Sequence, residues 1–108
     1  MNDTFKGLYD VVCDRKAHPQ EGSYTCYLFE KGLDKILKKC GEECSETIIA
    51  AKNGEKQAIT EEVCDLLYHL LVMLCECGIS VEEVDAVLEE RRRKIGNLKQ
   101  MRETDRNT

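Results

Sequence analysis

Apolar positions along this chain recur every three or four residues, a period that predicts helices from near the first residue to about residue 95. Phe5, Leu8, Tyr9 and Val12 mark the apolar face of a first helix, for which Asn2, Asp3 and Thr4 offer N-caps. It should stop near Ala17, because the residue before Pro19 is pushed out of the helical region. His18 to Tyr24 contains Pro, Gly and Ser and reads as a loop. A second helical region starts between Ser23 and Thr25 and runs toward Lys52, with an irregularity expected at Gly32. Its later part places Leu33, Ile36, Leu37, Cys40, Cys44, Ile48 and Ala51 at helical spacing. Asn53 and Gly54 supply a left-handed stop. A third helix runs from about Glu55 to Cys77 and ends at Gly78. A fourth begins where Ser80 and Glu83 match a capping box and carries Val81, Val84, Val87 and Leu88.

Between Val63 and Cys75 the third helix is apolar nearly all round, which is more than one short hairpin can cover. A second chain packing against it, as in a helical bundle, would bury the excess. The expected fold is therefore all-α: four to five helices built on a central antiparallel hairpin and completed by dimerisation, as a homodimer or higher homo-oligomer. At 108 residues there is room for one domain, taken as residues 1–95, followed by a polar tail at 96–108. A single Pro and seven Gly argue against a turn-rich β fold.

Charge and cysteine usage narrow the function classes. A net charge of -5 counts against sequence-independent binding to nucleic acid, which needs a basic footprint. Arg91, Arg92, Arg93 and Lys94 are basic, but they lie at a predicted helix end, where cations complement the helix dipole. The seven cysteines are odd in number, lie mostly on apolar faces and follow no signal peptide, so they are expected as free thiols in a reducing compartment. Cys40 with Cys44, and Cys75 with Cys77, lack the spacing of a zinc half-site. No apolar run is long enough to cross a bilayer, and the expected location is the cytoplasm without membrane attachment.

The informative chemistry is acidic. The second region carries Glu42-Glu43-x-x-Glu46, and the third helix carries Glu61-Glu62-x-x-Asp65. At about 100° per residue, and with the apolar face centred near Cys40, Cys44 and Ile48, Glu42 turns to water. Glu43 falls on the shoulder of that face with Glu46 beside it. Glu62 lies closer to its helix's apolar face than Glu61, with Asp65 at i+3. If the chain reverses at Gly54, Glu46 and Glu62 are each eight residues from the turn, and Glu43 and Asp65 are each eleven. The members of each couple then come level across the hairpin. Four anions at one place repel unless a cation neutralises them, and carboxylate oxygens with open positions suit Mg²⁺. The alternative is a set of solvated acidic shoulders paired with Lys35, Lys38, Lys39 or Lys52.

These acidic motifs, with fifteen residues between Glu46 and Glu62, resemble the metal signature of the all-α nucleotide pyrophosphohydrolases of the MazG type. Three further stretches narrow the likeness. They are Glu21-Gly-Ser-Tyr-Thr25, then Tyr27-Leu-Phe-Glu-Lys-Gly-Leu-Asp-Lys-Ile-Leu-Lys-Lys39, and Ala50-Ala-Lys-Asn-Gly54 with Asp65-Leu-Leu-Tyr-His-Leu-Leu71. Together they resemble the phosphoribosyl-ATP pyrophosphatase family over roughly residues 5 to 93. Cys44 and Cys64 stand where that family often has Ala or Val, which affects packing more than chemistry. Many relatives carry a cyclohydrolase on the amino side, and this chain is expected to be the form without it.

The resemblance implies Mg²⁺-dependent hydrolysis of phosphoribosyl-ATP to phosphoribosyl-AMP and pyrophosphate, the second step of histidine biosynthesis. It implies that Glu43, Glu46, Glu62 and Asp65 hold the metal, with Glu46 also open as the general base. Lys39 shares the stripe of Glu43 and Glu46, so it either contacts phosphate or pairs with Glu43. Lys31, Lys35, Lys38 and Lys52 are candidates for attracting the polyanion. Ser23, Tyr24 and Thr25 are candidates for lining the site, or else act as caps and turn residues. His69 lies on the stripe of Glu62 and Asp65, either toward the substrate or as a packed residue. Two other functions compete: a housekeeping pyrophosphatase for deoxynucleotides in the same fold, and a non-enzymatic helical interaction module.

Overall fold

A computed structural model describes residues 3–94, and every regular element among them is a helix. There are five: α1 (Asp3–Ala17), α2 (Tyr24–Lys31), α3 (Leu33–Asn53), α4 (Lys56–Glu76) and α5 (Val81–Arg93). The all-α expectation holds. The tail expected from residue 96, and Asn2 as a cap, lie outside the described residues.

The helix ends follow local chemistry. α1 stops at Ala17, two residues before Pro19. Ser23 caps α2, its Oγ accepting from the Cys26 amide at 3.2 Å. The irregularity expected at Gly32 is a full break. With φ at 92°, Gly32 donates its N–H to the Leu28 carbonyl to close α2, while its own carbonyl accepts from Ile36 to open α3. Side chains with a Cβ rarely tolerate that backbone. At Gly54, φ is 76° and the amide donates to the carbonyls of Ala50 and Ala51, which ends α3 and turns the chain. The capping box of α5 forms on both sides: the Glu83 amide donates to Ser80 Oγ at 3.1 Å, and the Ser80 amide to Glu83 Oε2 at 2.7 Å.

The most extensive contact is between α3 and α4. Their register can be read from two links. Thr47 Oγ1 lies 3.3 Å from the Glu62 carbonyl, and Cys40 Sγ lies 3.5 Å from the His69 carbonyl. Both pairs are symmetric about the Gly54–Glu55 junction, so the reversal expected at residue 54 is realised. α1 and α2 close the other side. Val12, Leu28, Ile36 and Val72, one from each of the first four helices, form the fully buried centre. Cys13 Sγ meets Cys75 Sγ at 2.9 Å where α1 crosses α4, and all seven cysteines are free.

One expectation fails on α3. Its inward stripe is Ile36, Cys40, Glu43, Thr47 and Ala50, which keeps Cys40 of the face expected near Cys40, Cys44 and Ile48 but lies about one residue round from the other two. Cys44 is exposed and Ile48 is 61% exposed, as are Leu33 and Leu37 in part. Glu43 is thus not on a shoulder; it points into the hairpin. The basic end of α5 behaves as expected, with Arg92 and Arg93 paired to Glu89 and Lys94 to Glu90. No single helix among the described residues is long and apolar enough to cross a membrane.

Candidate active site

Because α3 and α4 are antiparallel and level, their acidic residues meet. Oxygens of Glu43, Glu62 and Asp65 all lie within 4.8 Å of one another. Glu43 is only 7% exposed, and its Oε2, like Oε2 of Glu62, is buried with no hydrogen-bond partner. Burial first, then Glu46 and Asp65, push the Glu43 carboxyl up from an ordinary 4.5 to about 7. The same causes in the same order raise Glu62. Glu46 is exposed and stands outside the tight trio, yet it acts on both Glu43 and Glu62, so all four predicted carboxylates share one site. Buried, unpaired and mutually repelling oxygens are costly unless a cation completes them. The donor set is all hard oxygen, which fits Mg²⁺.

Lys39 reaches the edge of this group, with Nζ 3.6 Å from Glu42 and 3.8 Å from Glu43. Burial alone would depress its ammonium, but Tyr24, Glu42 and Glu43 together outweigh it and hold the group above its usual range. Both uses considered for Lys39 are therefore open to it at once: it pairs with Glu43 and borders the site.

The remaining predicted residues divide. Tyr24 belongs to the site's wall, with its hydroxyl 3.0 Å from His69 Nε2 and its ring stacked on Tyr27. Thr25 hydrogen-bonds Tyr68 across to α4. Ser23 serves as the α2 cap. Lys31 and Lys35 hold their ammonium groups 5.8 and 5.9 Å from the Tyr27 ring centre, forming a cationic fringe beside that wall. Lys38 is exposed on α3. Lys52 is exposed in the last turn of α3, about 13 Å along the axis from Glu43. His69 is a packed residue: it is 5% exposed and both ring nitrogens are engaged, Nδ1 at 2.7 Å from the Asp65 carbonyl.

Sequence reasoning missed Thr47 and Tyr68. Thr47 Oγ1 donates to the Glu43 carbonyl at 2.8 Å and approaches the Glu62 carbonyl, joining the two helices at the level of the carboxylates. Its place four residues after Glu43 was the available signal. Tyr68 packs edge-on against His69, with ring centres 4.9 Å apart.

Residues 5–92 match the family model described as phosphoribosyl-ATP pyrophosphohydrolase. The chain belongs to this family. Similar proteins include the phosphoribosyl-ATP pyrophosphatase of Clostridium botulinum, 52% identical over 95% of this chain and 94% of that one. That of Streptococcus thermophilus is 56% identical over 89% and 92%. The enzyme of Clostridium acetobutylicum is 52% identical over 94% and 92%. The match to the phosphoribosyl-ATP pyrophosphohydrolase family takes in the break at Gly32, the Gly54 turn, all four carboxylates and the Tyr24–His69 contact.

Proposed function

We propose that this chain hydrolyses phosphoribosyl-ATP to phosphoribosyl-AMP and pyrophosphate, with Mg²⁺ held by Glu43, Glu62 and Asp65 and assisted by Glu46, as the second step of histidine biosynthesis. The observation that carries this reading is the trio of oxygens within 4.8 Å, two of its carboxylates having buried and unpaired oxygens. Family membership supplies the substrate. When bound, the metal would neutralise phosphate oxygens and the charge developing on the departing pyrophosphate.

The chain's own residues supply the rest. Glu46, exposed beside the trio, takes the proton of the attacking water. The water oxygen bonds to phosphorus, the bridge between the α- and β-phosphates breaks, and pyrophosphate leaves with the electron pair. Lys39 holds a phosphate oxygen at the edge of the trio. Lys31 and Lys35 draw the polyanion toward the Tyr24 and Tyr27 wall. The seven thiols are free, which suits a reducing compartment, and we place the enzyme in the cytoplasm.

We infer a homodimer from uncovered apolar surface. Phe5, Leu67, Leu70, Leu74 and Val84 line an apolar hollow of about 220 Å³, and Leu33, Leu37 and Ile48 add an exposed stripe on α3.

Pyrophosphate release measured with Mg²⁺ over a panel of nucleotides tests the reading. Turnover of phosphoribosyl-ATP that EDTA stops supports it. Turnover of canonical deoxynucleotides instead would replace the substrate, and silence across the panel would overturn the enzyme. Rescue of a histidine-requiring strain by this gene tests the pathway step.

A further inference from the structure

Where α1 crosses α4, two thiols are already in contact. Cys13 Sγ and Cys75 Sγ lie 2.9 Å apart, although 62 residues separate them along the chain. Both are half-buried, and a link on each side holds them in register. The Tyr9 hydroxyl, one turn before Cys13, donates to the Ile79 carbonyl at 2.8 Å. The Lys16 ammonium, one turn after it, pairs with Glu76 at 2.8 Å. Tyr9, Cys13 and Lys16 are thus one stripe of α1 fixed against the end of α4. The other half-buried sulphurs, of Cys26 and Cys40, are engaged with backbone groups, and Cys44, Cys64 and Cys77 are exposed.

The separation discriminates between uses of the pair. Two thiolates that share a tetrahedral zinc ion, each about 2.3 Å from it, stand about 3.8 Å apart, wider than these. A disulfide brings its sulphurs to about 2.05 Å, so closing the gap asks each to move by about half an ångström. That is the scale of a side-chain torsion, not of a shift in helix packing.

We propose that Cys13 and Cys75 form a redox modification site, a dithiol that a small-molecule disulfide such as oxidised glutathione converts to an intrachain bond locking α1 to α4. The step is thiol–disulfide exchange in two stages. Cys13 gives up its proton and its sulphur attacks the reagent, whose S–S bond breaks and whose first half leaves as a thiol. The Cys75 sulphur then attacks Cys13 Sγ, and the second half leaves as a thiol. Two electrons and two protons pass to the reagent, and the protein ends two hydrogens lighter. Burial first, then the Cys13 sulphur, push the Cys75 thiol above its ordinary range, which leaves it to the second stage, where contact replaces diffusion. Cys75 lies ten residues beyond Asp65, about 15 Å along α4, so the lock acts at the α1 crossing and not on the carboxylates. It stands independently of the hydrolase reading.

Peptide mapping after equilibration in glutathione buffers of rising oxidised share tests this on the full chain in EDTA, with remaining thiols blocked by N-ethylmaleimide. Cys13 and Cys75 should escape the label together, as one cross-linked peptide pair, at the lowest oxidised share at which any bridge forms. Cys44, Cys64 and Cys77 should carry label or single glutathiones. Oxidation should raise the melting temperature on the order of 10 °C at one fixed protein concentration, because the bond closes a long loop of the unfolded chain, and dithiothreitol should reverse the rise. Cys13→Ala and Cys75→Ala should each abolish it.

Cys13 and Cys75 that stay labelled, or take up single glutathiones, while the exposed cysteines are fully oxidised would overturn the proposal. So would a bridge from Cys75 to Cys77 in its place. A Cys13–Cys75 bond that fails to raise the melting temperature would show that native packing must be broken to form it, and overturns the proposal equally. If an alanine variant does not fold, the wild-type peptide map and melting shift decide without it.

Discussion

Glu43→Gln should make the metal-free protein more stable while destroying its activity. The fold holds Glu43 inside the α3–α4 hairpin, 7% exposed, with Oε2 unpaired and two other carboxylates within 4.8 Å. Displacement of its titration from 4.5 to about 7 is a free energy. At about 1.4 kcal/mol per tenfold in acidity, the ionised side chain costs the folded state about 3 kcal/mol. The sign follows from which state ionises first. Below pH 4.5 the carboxyl is protonated both folded and unfolded, and the cost is absent. Between 4.5 and 7 the unfolded chain gives up its proton first, so stability falls as pH rises. Above 7 the full cost remains. Glutamine has the same shape and no charge, and its amide can donate to a neighbouring carboxylate. In EDTA at pH 8 the variant should melt on the order of 10 °C higher than wild type, and at pH 4.5 the two should coincide. Adding Mg²⁺ at pH 8 should raise the wild-type melting temperature and leave the variant's nearly still. Thermal unfolding followed by circular dichroism at one fixed protein concentration reads all of this. A variant that melts at or below wild type at pH 8 in EDTA would refute the claim that Glu43 is a charge the fold tolerates for a cation's sake.

Three further outcomes are expected. Asp65→Asn should lower kcat at least about 100-fold and weaken Mg²⁺ binding by calorimetry, with an unchanged helical spectrum; retained turnover would remove Asp65 from the site. Leu70→Glu puts a charge into the apolar hollow of α4, and should raise the dissociation constant of the dimer at least about 100-fold, read as a shift toward monomer in light scattering. Mass unchanged between the two proteins would locate the interface elsewhere. Ser80→Ala removes the acceptor of the Glu83 amide in the α5 cap and should cost about 1 kcal/mol, a drop of several degrees in melting temperature without loss of turnover.

What the sequence disclosed, and what it hid, has a physical pattern. Local rules were sufficient for the helix ends, because Ser80, Gly54 and Pro19 act through their own backbone neighbours. Counting outward from Gly54 was sufficient for the level of the carboxylates, since a straight antiparallel hairpin preserves equal rise on both sides. Contacts such as Tyr24 with His69 and Thr25 with Tyr68 join residues more than forty apart, and no periodicity announces them. The failure on α3 is more instructive. That helix carries two stripes, one of Leu33, Leu37, Cys44 and Ile48, the other of Ile36, Cys40, Glu43, Thr47 and Ala50. Hydrophobicity favours the first, yet the second packs against α4, because the site's own side chains had to be turned inward. A functional site is where a local rule should fail. The stripe left outside then has a use of its own. A helix that spends its inner face on Glu43 and Thr47 buries too little apolar surface there, and Leu33, Leu37 and Ile48 are placed to recover it against a second chain. On that argument the proposed dimer would make room for an acidic core: the polar inner face and the apolar outer face of α3 would be two consequences of one requirement.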